Sequence, residues 1–112
     1  MRYALLICAD EALLTPETGP ERMEAFEAFQ QEMADRGVLL GGERLTPVAS
    51  ATTVRVRQGD LVIADGPFAE TKEQIAGFYL VDCKDLDEAI EVAAKIPAAE
   101  WGSVEIRPIW EM

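Results

Sequence analysis

Residues 65–74, Asp65-Gly66-Pro67-Phe68-Ala69-Glu70-Thr71-Lys72-Glu73-Gln74, gather side chains that can move protons and bind anions. Asp65 ends a strand-like run, and a carboxylate there becomes a general base when desolvation raises its pKa. Glu70 is a second candidate for the same work. Lys72 can hold an anionic ligand or pair with Asp65 or Glu70. The same residues also make a rigid turn. Asp65 would accept backbone N–H groups, Gly66 would supply an unusual φ, Pro67 would fix the next one, and Phe68 would anchor the loop in the core. Thr71 and Gln74 have capping-box spacing, which predicts one helical turn.

The arginines are the other candidates. Arg55 and Arg57 share one face of an alternating strand, and Arg107 shares a face of the last strand with Glu105. If those faces line an interior, Arg55, Arg57, Arg107 and Lys72 can clamp a small carboxylate or phosphate. Otherwise they pair with Glu43, Glu105 or Asp65, or stand in water. Tyr79, with Tyr3, Trp101 and Trp110, can add an aromatic wall to such a site, or pack in a core or interface.

Composition narrows the chemistry. The chain has 112 residues, 21 acidic and 10 basic, and a formal net charge of -11. Such a surface repels phosphate backbones and anionic bilayers, so neither nucleic acid nor membrane is an expected partner. There is no histidine. That removes a histidine base, a Ser-His-Asp triad and a histidine-ligated metal. No loop has calcium-ligand spacing, and no metal or cofactor is expected. Cys8 and Cys83 lack a CxxC neighbour and read as reduced, buried thiols. No apolar run approaches the roughly 20 residues of a membrane span, and no signal-peptide pattern opens the chain, so the expected location is the cytoplasm.

The elements that must position these residues follow from periodicity. Residues 2–9 are apolar on both alternating faces, as in a strand covered on both sides. Residues 21–36 place Met23, Phe26, Phe29 (or Gln30) and Met33 at helical spacing, and Gly37 fits the stop. Residues 38–45 predict a strand with a bulge or close approach at Gly41-Gly42. Residues 51–57 alternate, with Val54 and Val56 inward and Thr53, Arg55 and Arg57 outward. Gln58-Gly59-Asp60 turns that run into residues 61–65, a hairpin. Residues 75–83 predict a strand apolar on both faces. Asp85 with Glu88 resembles a capping box opening a helix whose stripe is Leu86, Ala89, Ile90, Ala93 and Ile96, ended by Pro97. Residues 103–110 are the last strand.

The order βα, then β with an inserted hairpin, then βαβ, predicts a single α+β domain of ferredoxin-like split βαβ type. Two helices cover only one face of its sheet. The central strands are apolar on both, so a second copy packed sheet to sheet is the expected cover, a homodimer. In this topology Cys8 and Cys83 lie far apart on neighbouring antiparallel strands, which rules out an intrachain disulfide.

The runs RYALLICADE, GVLLGGERLTPVASATTVRVRQGDLVIADGPFAETKE and IAGFYLVDCKDLDEAIEVAAKIPAA, followed by VEIRPI, resemble the YCII-related family, and more narrowly its DGPF-domain proteins. The resemblance covers nearly the whole chain and implies a dimeric α+β barrel. A His–Asp dyad has been proposed in the broader family, and the missing histidine prevents its transfer here. The wider superfamily includes enzymes acting on lactones and chlorinated aromatics, and monooxygenases. DGPF proteins are often encoded beside extracytoplasmic-function sigma factors. Two readings follow. One is a cofactor-free pocket for a small anionic compound, an isomerase, lyase or dehalogenase with Asp65 and Glu70 moving protons. The other is a non-catalytic ligand-binding or regulatory module linked to a sigma factor. They differ in whether Asp65 faces a cavity or its own backbone.

Overall fold

Strand β1, Arg2–Ala9, alternates in burial along its whole length: Tyr3, Leu5, Ile7 and Ala9 are buried, and Ala4, Leu6 and Cys8 are half-buried. This is the two-sided apolar strand that the sequence predicts, with one face more completely covered. The computed structural model describes residues 1–13 and 19–111. Helix α1, Gly19–Asp35, follows, then β2, Leu39–Arg44. The hairpin strands are β3, Thr52–Arg57, and β4, Asp60–Asp65. Strand β5, Gln74–Asp82, helix α2, Leu86–Ala94, and β6, Ser103–Pro108, complete the chain.

The four longer-range strands form one antiparallel sheet in the order β2-β5-β1-β6. This is the ferredoxin-like arrangement, with β1 and β5 in the centre. Both helices contribute to one core. Phe29 and Met33 of α1 and Ala89, Val92 and Ala93 of α2 join Tyr3, Leu5, Ile7, Tyr79 and Val81 of the sheet. Ile96 and Ala98, between α2 and β6, complete it.

Capping at α2 follows the predicted logic. The Asp85 carboxylate accepts the Glu88 backbone N–H at 2.9 Å, and Glu88 accepts the Lys84 N–H at 3.0 Å. The reciprocal bond goes back one residue further than in the usual box. The buried face of the helix is rotated from expectation. Ala89, Val92, Ala93 and Ile96 are buried, whereas Leu86 and Ile90 are exposed. Within α2 the core takes Ala89, Val92 and Ala93, and Leu86 and Ile90 are left at the flank. Arg36 pairs with Glu32, Glu88 and Glu91, and Lys95 pairs with Glu32, tying α1 to α2. These exposed pairs contribute only about 0.2–1 kcal/mol each.

The hairpin corrects a second expectation. It stands as a separate two-stranded sheet. Cross-strand pairs Val54–Ile63 and Val56–Leu61 lie on one face, and Arg55–Val62 and Arg57–Asp60 on the other. The valines do not point inward: Val54 is 58% exposed, Val56 61%, Leu61 64% and Ile63 61%. Alternation identifies a strand and its faces, but it cannot say which face has something to pack on. The turn is the two-residue kind suited to a hairpin, with Gln58 at φ 51° and Gly59 at φ 81°. The bulge in β2 falls at Leu40, between the paired Leu39 and Gly41.

Cys8 and Cys83 are both free thiols. Cys8 pairs in register with Ile75 and Cys83 hydrogen-bonds through its N–H to Met1, so they occupy opposite ends of the β1–β5 pair. Burial pushes both thiols up, and neighbouring carboxylates add to it: Glu105 and Glu73 at Cys8, Glu88 and Asp82 at Cys83.

Gly102 admits the chain between α2 and β6. Its N–H bonds the Ala98 carbonyl at 2.7 Å. A methyl group there would press on the Cys8 carbonyl oxygen and lie 3.2 Å from the Ala98 oxygen and 3.4 Å from the Ala9 Cα. All three are backbone atoms, so no side chain can swing aside. Gly102→Ala is expected to lose about 2 kcal/mol of stability, measured as a lower urea midpoint at unchanged slope.

Candidate functional site

The 65–74 segment is a loop, and its turn chemistry is only partly as predicted. Gly66 adopts φ 99°, donates its N–H to the Ala51 carbonyl at 2.7 Å, and accepts from Thr53 Oγ1 at 2.8 Å. These bonds close the base of the hairpin. Among the described residues, the Asp65 carboxylate accepts no hydrogen bond, and its side chain is exposed outside both concave regions described below. Phe68 does not anchor the loop: it is 81% exposed. No helical turn forms at 71–74. Thr71 Oγ1 donates to the Glu73 carbonyl, and Gln74 Nε2 donates to the Thr71 and Ala69 carbonyls, so these side chains brace a bent loop. Such local side-chain bonds compete with helix formation.

Glu70 and Lys72 do come together with a concavity. They line a shallow, open hollow of about 350 Å³ with Asp10, Glu11, Val48 and Pro67. Glu11 is committed there, accepting the Val48 N–H at 2.9 Å, and Asp10 accepts the Ala12 N–H at 3.0 Å. The acidic run of residues 9–20 has the length and composition of a lid over a barrel mouth, an expectation that falls partly outside the described residues. Arg55 and Arg57 stay on the hairpin, where Arg57 donates to the Val56 carbonyl, and Arg107 pairs with Glu105 on β6. The structure does not gather Asp65, Arg55, Arg57 and Arg107 around one cavity.

Tyr79 belongs to a different and larger space. A cavity of about 950 Å³ lies between the N-terminal half of α1 and the sheet. Its origin can be read across three strands. On the helix-facing side, Tyr3, Val81 and Leu39 form one row, Leu5, Tyr79 and Gly42 the next, and Ile7, Gly77 and Arg44 the third. Met33 and Phe29 are buried against this layer. Toward the third row, glycine replaces a side chain at the centre of the floor. Phe26 is only partly buried, and Met23 is exposed at the rim. Volumes of this size suit small organic ligands.

Two glycines shape that floor. A Cβ at Gly42 would sit 2.6 Å from Tyr79 Cδ1, so the Tyr79 ring lies across β2 at that position. A Cβ at Gly77 would sit 2.9 Å from the Glu43 carbonyl oxygen. The walls are aromatic and apolar: Phe26, Met23, Trp101 and Ile7. The Arg22 guanidinium stacks 4.1 Å from the centroid of the Trp101 ring and donates to the Leu13 carbonyl at 2.7 Å, fixing the side wall. The Tyr79 hydroxyl accepts from Gln30 Nε2 at 2.9 Å, and its ring meets Phe29 at 5.1 Å. Burial raises the Tyr79 pKa, and the hydrogen bond donated by Gln30 partly offsets it. The sequence signal for this site was faint. Tyr79 and Trp101 were legible as an aromatic wall, but for a site built on Asp65 and the strand arginines, and Phe26 only as helix stripe; the floor glycines Gly42 and Gly77 lie on different strands in neighbouring rows.

Helix face, glycine floor and antiparallel order define a ferredoxin-like α+β domain with a ligand-sized cavity between its layers. The chain belongs to the YCII-related domain family, which matches it over residues 1–112. It is also 40% identical over 114 residues to an uncharacterized protein of Rhizobium meliloti (strain 1021), an alignment covering 97% of this chain and 92% of that one. Among the described residues no three His, Cys, Asp or Glu side chains are grouped to hold a metal, and no helix is long and apolar enough to cross a membrane.

Proposed function

We propose that this DGPF-type protein is a homodimeric small-molecule-binding protein whose ligand lodges between α1 and the sheet. The single observation that supports it best is the 950 Å³ cavity, floored by glycine and walled by aromatic side chains. A largely apolar groove of this size, open at its rim and reaching a buried tyrosine, has the shape and lining of a small-molecule site. Of the 65–74 carboxylates, Glu70 has a concavity beside it, with Lys72 on its rim. That hollow is separate from the space between α1 and the sheet, so the ligand proposed here is bound without proton transfer by Asp65 or Glu70.

The test is a thermal-shift screen of small metabolites on the wild type and on two variants that plug the cavity from opposite sides, Ile7→Trp and Met23→Trp. A ligand present at about 100 times its Kd adds about 2.7 kcal/mol of stability. Hits are expected to raise the wild-type melting temperature by several degrees and to lose the shift in both variants. Shifts that survive both plugs would place binding elsewhere and overturn the proposal.

A further inference from the structure

The chemistry of the cavity's uncommitted polar groups specifies its ligand, given the small-molecule reading above. Arg44 lies on the helix-facing side of β2, in the row of Ile7 and Gly77, and lines the cavity. The chain carries twice as many acids as bases, and Arg2, Arg36 and Arg107 each have a carboxylate partner. Arg44 is exposed at the cavity mouth and, like Arg22, Arg55 and Arg57, has no carboxylate partner among the described residues, although its β2 neighbour is Glu43; of these four it is the one on the cavity floor. Successive strand residues point to opposite faces, which separates the two side chains.

The second group is the Tyr79 hydroxyl. Gln30 donates to it, so its acceptor side is engaged while its own proton has no acceptor among the described residues. Tyr79 is only 5% exposed, so water does not freely supply that acceptor. Its ring lies across Gly42, two residues along β2 from Arg44 on the same face. Glu27 also borders the cavity, from the exposed surface of α1, and Glu43 borders it from the opposite face of β2, so on the helix-facing side of the sheet the two polar side chains, exposed Arg44 at the mouth and buried Tyr79 within, are both donors. A ligand satisfying them must bring acceptor oxygens, and a guanidinium favours those of an anion. The remaining walls, Ile7, Phe26, Met23 and Trp101, accept apolar or aromatic surface.

We infer that the cavity binds an amphipathic carboxylate: an aromatic or branched apolar body over Gly77, with its carboxylate held by the Arg44 guanidinium and the Tyr79 hydroxyl. The experiment is isothermal titration of three isosteric probes, 4-phenylbutyrate, 4-phenylbutanamide and 4-phenylbutylamine, into the wild type, Arg44→Gln and the two plug variants. A charge-assisted hydrogen bond contributes about 1.5–3 kcal/mol, so the carboxylate is expected to bind at least about tenfold tighter than the amide. Arg44→Gln is expected to erase most of that preference while leaving amide binding within about twofold. Equal binding of carboxylate and amide, or tighter binding of the amine, overturns the ligand class. If Ile7→Trp and Met23→Trp still abolish binding in that case, the cavity reading survives it. Binding of no probe, or binding unaffected by both plugs, overturns both.

Discussion

Leu5→Ala is expected to lower the free energy of unfolding by about 3 kcal/mol. Leu5 is fully buried in the central strand β1. It is flanked on the helix-facing side by Tyr79 on β5 and Ile106 on β6, so strands on both sides hold its backbone in place. The space left by the lost methyl groups cannot collapse without disturbing two ladders, and a cavity term adds to the lost transfer energy. For a domain of this length the melting temperature is expected to fall by about 15 °C. Calorimetry of the wild type and variant measures it, and a change under about 3 °C would mean that the core does not centre on β1.

That core was legible because β1 and β5 alternate over their full length, and a period-two pattern places side chains on faces without knowledge of the fold. Strand order followed from element order, since short connections leave few ways to arrange a split βαβ unit. The misplaced features share one cause. The exposure of Val54 and Val56, the loose Phe68 and the rotated face of α2 all depend on what packs opposite. That information lies in other segments. The cavity was invisible for a related reason. It arises because Gly77 falls between Ile7 and Arg44 in register, a coincidence of three strands that no single segment displays. The 65–74 segment drew attention through residue types, yet similar types can form a hairpin base, as Gly66 and Thr53 do.

Leu6→Glu is expected to abolish the proposed homodimer at micromolar concentration. The chain exposes 7673 Å². A compact monomer of this size exposes about 6,100 Å². The radius of gyration, 15.8 Å, likewise exceeds the roughly 13 Å of a compact chain. The excess, roughly 1,500 Å² on one chain, is about twice the roughly 800 Å² that each partner contributes to a standard interface. It has two sources. The sheet face away from the helices carries Leu6 paired with Phe78 and Ala4 paired with Leu80. The hairpin adds the stripe Val54, Val56, Leu61 and Ile63. A glutamate at position 6 would bury an unpaired charge at the centre of the first patch, at a cost of several kcal/mol in the dimer and little in the monomer. Sedimentation equilibrium is expected to give a dimer for the wild type and a folded monomer for the variant. A monomeric wild type, or a variant that still dimerises, would show that a different surface answers the excess area.

The hairpin's attachment has a further consequence. Its strands hydrogen-bond to each other, and the base is closed by Gly66 and Thr53 within the same segment. Among the described residues no ladder joins it to β2-β5-β1-β6. Its amides are therefore free to open and exchange with solvent without unfolding the larger sheet, making residues 52–66 a cooperative unit of their own. Whatever lies against the Val54–Ile63 face then governs the protection of that unit. In this way occupancy of a surface would be written into the exchange rates of a segment whose own structure scarcely changes.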